Sequence, residues 1–229
     1  MKIIYWSDYA CPYCYIGEER IKKVLSELDM PYELEMKAFQ LDPSAGRHAA
    51  TDTVTRFAKK YRLSLENAAA QIDYISQLGI AEGIDFKYSS TLFTNTMDAH
   101  RLTKLAQSIS SEIANKISER LYAAYFTDNL ELADKNVLIR IGVDNGLSKT
   151  EIENMLESDK YKKEVLLDEQ EAASYGIHAV PYFIINDKYE ISGAQSKNAI
   201  KSALIKIQSE ETAEKSIEGA HCGPNGCSF

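Results

Sequence analysis

Strand-forming sequence is confined to the two ends of this 229-residue chain, which limits the folds that it can adopt. Residues 2–7 form an apolar run typical of a short buried strand, and residues 12–28 carry apolar side chains at helical spacing. Residues 32–38 then alternate apolar and polar side chains, the period of a half-buried strand. The beginning of the chain therefore predicts a β-α-β unit that ends near Pro43.

The other end of the chain contains a second group of strands. Residues 182–185 and 189–191 are rich in aromatic and β-branched side chains, and the polar turn between them predicts a β-hairpin. Ser196 is a candidate N-cap of a final helix that follows the hairpin. The hairpin and this helix form the second half of a sheet domain.

The middle of the chain, from about 51 to 175, contains only helical patterns. Ser64 and Asp134 are candidate N-caps, and Ser148 with Glu151 fits a capping box. We interpret the apolar stripes of these segments as core packing.

Neither end of the chain completes a sheet alone, because an isolated pair of strands is only marginally stable. Joining the ends gives a four-stranded mixed sheet with helices on its faces, an α/β fold in which the helical middle is an insertion. We predict a sheet domain from residues 1–43 and 160–208, a helical insertion from 44–159, and a mobile polar tail from 209–229.

The first strand and the first helix are joined by the segment Cys11-Pro12-Tyr13-Cys14. A helix N-terminus stabilises an anion, so we expect Cys11 to ionise more readily than a free thiol and to act as the attacking thiolate. Pro12 fits the first helical position, and Cys14 follows one turn later on the same face, as the resolving thiol. The motif alone leaves two alternatives open, half of a zinc site and a static disulfide.

Charge and cysteine content narrow the function further. The chain has 26 Lys and Arg against 34 Asp and Glu, a net charge of −8, so nucleic acid is not an expected partner. No apolar run approaches the roughly 18 residues of a membrane span, and the first residues lack the apolar stretch of a signal peptide. We therefore expect a cytoplasmic protein that does not contact a membrane, whose four cysteines stay reduced.

With these features, the sequence resembles the DsbA-like family of thioredoxin-fold oxidoreductases, most closely its cytoplasmic FrnE-like branch, over roughly residues 1–208. The matching segments are Cys11-Pro12-Tyr13-Cys14, Phe39-Gln40-Leu41-Asp42-Pro43, Asn95-Thr96 with Ala99-His100-Arg101-Leu102, Ala124-Tyr125-Phe126, Val180-Pro181-Tyr182-Phe183 and Ser192-Gly193-Ala194-Gln195. The fold implied is a thioredoxin fold with a large helical insertion.

The resemblance also implies roles for individual residues. Val180-Pro181 would be a cis peptide bond that faces the cysteines and leaves the backbone of Val180 free to pair with an extended substrate. Pro181 would belong to the catalytic centre with the two cysteines, and Pro12, Tyr13 and Val180 would contact substrate. Asn95 and His100 would line the groove over Cys11, although His100 also fits a structural role.

Tyr9, Tyr13 and Tyr15 surround the motif, and the sequence fits either an apolar rim for substrate or simple packing.

A second cysteine pair, Cys222 and Cys227, lies in a turn-forming segment near the end of the chain. Three interpretations compete. The pair exchanges electrons with Cys11 and Cys14 as an accessory redox site, which we favour; it forms an independent protective disulfide; or all four cysteines bind zinc.

The sequence thus predicts a cytoplasmic thiol–disulfide oxidoreductase that acts on disulfides of polypeptides or on small thiols, without a cofactor or a bound metal. The direction of electron flow stays open. One alternative is an enzyme like the 2-hydroxychromene-2-carboxylate isomerases and kappa-class glutathione transferases, which generally carry Ser where this chain has Cys11. Another is a redox sensor or zinc-binding protein without enzymatic activity.

Overall fold

The main sheet is built from both ends of the chain. The computed structural model describes residues 1–218, 222–223 and 226–227. The sheet contains β1 (Lys2–Ser7), β2 (Glu33–Ala38), β3 (Tyr182–Ile185) and β4 (Tyr189–Ser192). The strand order is β2-β1-β3-β4, with β1 parallel to β2 and antiparallel to β3, which pairs antiparallel with β4. The predicted four-stranded mixed sheet is confirmed.

Helices cover both faces of this sheet. The helices of the described chain, some of which pack only on other helices, are α1 (Pro12–Glu27), α2 (Thr53–Tyr61), α3 (Leu65–Ala81), α4 (Met97–Gln107), α5 (Ser111–Phe126), α6 (Lys135–Asp144), α7 (Lys149–Leu156), α8 (Lys162–Ser174) and α9 (Lys197–Glu218). A short 3₁₀ turn spans Tyr88–Ser90. The helices α2 to α7 follow one another between β2 and α8, where the sequence predicts the insertion.

The alternation of side chains along β1 divides the core into two parts. Ile3 and Tyr5 belong to the large core, which also includes side chains of α1 and α9. Trp6 packs on the opposite face against Ala172 of α8. The Trp6 indole N–H donates to the main-chain carbonyl of Asp168, 2.9 Å away, which fixes α8 against the end of β1.

Three features of the helices differ from the sequence prediction. The helix α2 was not predicted; it begins after Asp52, whose carboxylate accepts a hydrogen bond from the Thr55 N–H. Ser148 precedes α7 but makes no side-chain cap bond, so the capping box was wrong. The helix α9 continues to Glu218, beyond the predicted end at 208, because its polar residues favour helix and Lys206 pairs with Glu210 one turn away.

The second cysteine pair lies next to the end of the described chain. The backbone of Cys222–Gly223 pairs antiparallel with Gly226–Cys227, which sets Cys222 opposite Cys227. Their side chains lie outside the part that the structure describes, so their accessory redox role stays a prediction.

Candidate active site

The Cys11-Pro12-Tyr13-Cys14 motif lies where β1 passes into α1. Cys11 is the N-cap of α1 in an extended conformation (φ −94°, ψ 113°), and Pro12 is its first residue. The fixed φ of proline suits this position, and its missing N–H would have no partner in the helix. The motif therefore starts the helix with the Cys11 sulfur at the N-terminal end.

Asp8 shapes the loop between the strand and the motif. Its carbonyl accepts the Cys11 N–H at 3.0 Å. Its carboxylate accepts the N–H groups of Ala10 at 3.2 Å and of Leu41 at 2.7 Å. This buried carboxylate thus connects the approach to Cys11 with the segment that follows β2.

The loop before β3 meets the nucleophile from the other side. The Val180–Pro181 peptide bond is cis, as predicted. The Cys11 thiol donates to the Val180 carbonyl oxygen with a sulfur–oxygen distance of 3.7 Å. Gly17 permits the close approach of this loop to α1, because a Cβ there would lie 2.9 Å from Cγ of Pro181. Two segments more than 160 residues apart in sequence are thereby brought together.

Cys14 lies behind Cys11 and is inaccessible to solvent, at 0% exposure against 5% for Cys11. Both cysteines are free thiols. Burial raises the pKa of the Cys14 thiol well above its ordinary value; Cys11 adds to the rise, and a hydrogen bond with the Ser7 hydroxyl opposes it. Ser7 also shares a buried hydrogen bond with the Tyr122 hydroxyl. Ser7 and Tyr122 therefore form a buried pair of hydroxyl groups, of which Ser7 acts on Cys14.

A cleft of about 330 Å³ opens above Cys11. The motif contributes Ala10, Cys11, Pro12 and Tyr13; α2 contributes Arg56, Phe57, Lys60 and Tyr61; the cis-proline loop contributes His178, Ala179 and Val180; and Leu41, Gln71, Ile75, Tyr88 and Phe93 complete the lining. Four predicted site residues, Cys11, Pro12, Tyr13 and Val180, thus line one cleft. A larger depression of about 590 Å³ beside β2 contains none of the predicted site residues.

Asn95 and His100 do not line this cleft, so the predicted groove-lining position is wrong for both, and the buried position of His100 agrees with the structural role that the sequence also predicts. The Asn95 amide group donates to the Pro43 carbonyl at 3.0 Å and accepts the Met97 N–H at 2.9 Å. Its two hydrogen bonds hold the loop after β2 against the start of α4. The packing of α4 instead turns His100 into the interior.

His100 is 2% exposed and lies beneath the motif loop. Its Nε2 atom is 3.6 Å from Oδ1 of Asp8, and its ring centroid is 4.9 Å from that of Tyr9. Within the described part of the chain, that nitrogen has no hydrogen-bond partner. His100 therefore contacts the residue that shapes the loop rather than the cleft.

The three tyrosines near the motif differ in position. Tyr13 is 40% exposed at the cleft. The Tyr9 hydroxyl bonds to Thr103 in the interior, and Tyr15 stacks on Tyr122 with ring centroids 4.9 Å apart. Only Tyr13 is available to a substrate in the cleft.

The cleft wall formed by α2 was not identified from the sequence. Phe57 and Tyr61 are four residues apart on this helix, and their ring centroids are 4.5 Å apart. The signal was present in the Asp52 cap and in the spacing of these aromatic residues, but the helix has only nine residues. Such a short pattern is weak unless its neighbours are known.

Membrane-spanning helices and metal-binding clusters are both absent from the described residues. No helix in the described ranges is long and apolar enough to cross a membrane. Within those same ranges, no group of three or more His, Cys, Asp or Glu is arranged to hold a metal ion. The four-cysteine zinc site requires the side chains of Cys222 and Cys227, which are not described.

Comparison with solved structures identifies related folds. "Probable DsbA oxidoreductase SCO1869" from Streptomyces coelicolor is 32% identical, with a TM-score of 0.86 over 100% of this chain and 99% of that one. A 2-hydroxychromene-2-carboxylate isomerase has 12% identity and a TM-score of 0.69, over 93% of this chain and 98% of that one. Cytosolic disulfide reductase DsbM from Pseudomonas aeruginosa, solved with GSH, has 13% identity and a TM-score of 0.61, over 91% and 99%.

The similarity to the last two structures concerns the fold alone, because their sequences are only 12% and 13% identical to this chain. The family match is more specific, because the DSBA-like thioredoxin domain family matches residues 2–205, from the first strand to the final helix. This span includes the motif, the helical middle and the cis-proline loop. The chain therefore belongs to the DSBA-like thioredoxin domain family.

Proposed function

We propose that this protein is a cytoplasmic thiol–disulfide oxidoreductase with Cys11 as nucleophile and Cys14 as resolving thiol. The Cys11 thiolate attacks one sulfur of a substrate disulfide, which forms a mixed disulfide and releases one substrate thiolate. The Cys14 thiolate then attacks the Cys11 sulfur, releases the second substrate thiolate and leaves an enzyme disulfide. Two electrons pass to the substrate, and an external dithiol must reduce the enzyme again.

One observation carries this assignment: the two free thiols are adjacent, yet only Cys11 lines the cleft. Cys11 is the N-cap of α1, a position at which reactive cysteines occur in proteins. Cys14 is buried beneath Cys11, where a substrate sulfur cannot reach it. Once Cys11 carries a mixed disulfide, Cys14 is next to the Cys11 sulfur and can attack it. This order of exposure supports the proposed roles.

Val180 and Pro181 complete the proposed catalytic centre. The Val180 carbonyl contacts the nucleophile, so a substrate segment that paired with this backbone would carry its disulfide to Cys11. Pro12 and Tyr13 would contact the same segment from the motif side. We propose disulfide-containing polypeptides and small thiols as partners.

Reduction or isomerisation is the proposed direction. A cytosolic thiol pool keeps most cysteines reduced, which favours this direction. The neighbour DsbM is described as a cytosolic disulfide reductase, which agrees with the proposed compartment and direction. The reduction potential of the Cys11–Cys14 pair is the quantity that sets the direction.

Reduction of insulin disulfides in the presence of a dithiol tests the proposal. Cys11→Ser should abolish catalysed turnover, and Cys14→Ser should leave at most slow turnover that depends on external thiol. Cys222→Ser is a matched variant, since it also removes one thiol, and it tests the accessory pair. Turnover that survives Cys11→Ser would contradict the mechanism.

A further inference from the structure

The charge of the cleft differs in sign from that of the whole chain. The chain has a net charge of −8. The basic residues that line the cleft are Arg56, Lys60 and His178, and no Asp or Glu lines it. A cleft lined by one sign of charge attracts ligands of the opposite sign.

The two α2 cations differ in how far they are already neutralised. The Arg56 guanidinium carbon is 3.1 Å from the ring centroid of Phe93, and its Nη2 atom is 3.6 Å from a carboxylate oxygen of Asp42. Arg56 is therefore held in place and partly compensated. Of these two cations, Lys60 is therefore the more available to a ligand.

Lys60 is exposed in the last turn of α2. Its ammonium nitrogen is 5.6 Å from the ring centroid of Tyr61. Among the side chains that the structure describes, no carboxylate forms an ion pair with it. A bound carboxylate would thus meet a cation without displacing an existing ion pair.

The remaining wall is largely aromatic and apolar. Phe57, Tyr61 and Tyr88 lie on the insertion side of the cleft, and Tyr13 lies on the motif side. The volume of about 330 Å³ is at the lower end of the range for small-ligand sites, roughly 300–1,000 Å³. The cleft therefore fits a small molecule with a short apolar stem and a negative end.

We propose that the cleft selects small disulfides that carry a carboxylate, with Lys60 as a specificity-determining residue. This inference rests on the proposed function and adds the substrate class. In the selected reaction, the Cys11 thiolate displaces one carboxylate-bearing thiolate, and the other half of the substrate stays attached through the mixed disulfide. The carboxylate of the incoming disulfide lies near Lys60 while the sulfur atoms exchange.

Three disulfides of similar size and different charge test the proposal. They are 3,3′-dithiodipropionate, which is anionic, bis(2-hydroxyethyl) disulfide, which is neutral, and cystamine, which is cationic. The rate of mixed-disulfide formation is measured on protein that carries Cys14→Ser, Cys222→Ser and Cys227→Ser, so that only the first step at Cys11 is observed. Each rate is divided by the rate at which free 2-mercaptoethanol reacts with the same disulfide. This corrects for differences in the intrinsic reactivity of the three disulfides.

The normalised rates should fall from the anion to the neutral compound to the cation at low salt. Lys60→Gln should lower the rate for the anion roughly 2- to 5-fold, as expected for an exposed ion pair, and leave the neutral compound unchanged. Added salt should reduce the difference by screening. Lys59→Gln is the matched control: it removes the same charge from the same helix turn, but Lys59 does not line the cleft.

Two results would overturn the proposal. Equal normalised rates for the three compounds would exclude charge selection while leaving the thiol chemistry intact. Equal effects of Lys59→Gln and Lys60→Gln would assign the preference to overall charge rather than to the cleft. Failure of Cys11 to react with all three disulfides would instead contradict the proposed function itself.

Discussion

Ser7→Ala should slow the resolving step of the reaction without affecting the first attack. Ser7 is fully buried at the end of β1, shares a hydrogen bond with Tyr122, and its hydroxyl lowers the pKa of Cys14. Burial raises this pKa, and the Ser7 hydroxyl opposes the rise by hydrogen bonding to the Cys14 thiolate. Its loss therefore raises that pKa further and reduces the fraction of Cys14 present as thiolate.

The size of the effect follows from the strength of the bond. A hydrogen bond to a charged group contributes about 1.5–3 kcal/mol, which corresponds to about 10- to 150-fold in the thiolate fraction. A thiolate of higher pKa is also more nucleophilic, with a Brønsted coefficient of about 0.4–0.5, which recovers nearly half of the loss on a logarithmic scale. The rate of resolution should fall roughly 3- to 15-fold.

Stopped-flow reaction with 5,5′-dithiobis(2-nitrobenzoate) separates the two steps. Attack by Cys11 releases the first coloured thiolate, and attack by Cys14 on the mixed disulfide releases the second. Ser7→Ala should slow only the second phase, and a higher pH should restore it.

Thr103→Val is the matched control for this experiment. It removes another buried hydroxyl, the partner of Tyr9, without touching Cys14. Both variants should lose stability, but Thr103→Val should keep the second phase. An unchanged second phase in Ser7→Ala, or equal slowing in both variants, would refute the reasoning.

Three further predictions concern the scaffold and pH. Gly17→Ala introduces a Cβ 2.9 Å from Pro181, so insulin reduction should fall, whereas Gly142→Ala, whose Cβ meets a flexible isoleucine end, should leave turnover unchanged. Arg101→Leu should lower the free energy of unfolding in urea by about 3 kcal/mol or more, because the buried guanidinium donates to main-chain carbonyls at the end of α7 and just after it, and to Asp98; equal stability would contradict this. The reduced protein should lose stability above about pH 8.5, where the unfolded chain releases the Cys14 proton that the folded chain retains, and Cys14→Ser should lack this part of the loss.

The sheet and its central motif were predictable because they depend on local patterns. The run at residues 2–7 and the alternation at 32–38 have the period of strands, and the observed strands coincide with them within one residue. The cis bond before Pro181 came from the family resemblance, since general frequencies alone do not favour it. The pairing of the two ends followed from the need to complete the sheet.

Contacts made by the insertion were not predictable in the same way. The sequence pattern gives the apolar face of a helix but not the rotation of α4, which turns His100 toward Asp8 rather than the cleft. The role of α2 was missed for the same reason, since Lys60 and Phe57 gain meaning only once the helix lies over Cys11. Such positions depend on how helices pack on one another, which local spacing does not specify.

The most direct test of the central claim is to trap the mixed disulfide. Protein that carries Cys14→Ser, Cys222→Ser and Cys227→Ser keeps only Cys11, so treatment with a peptide disulfide should give one covalent adduct, and peptide mapping by mass spectrometry should locate it on Cys11. Cys11→Ser protein should accumulate no adduct on Cys14, because that thiol is buried away from the cleft. An adduct on Cys14, or no adduct on Cys11, would contradict the assignment of nucleophile and resolving thiol.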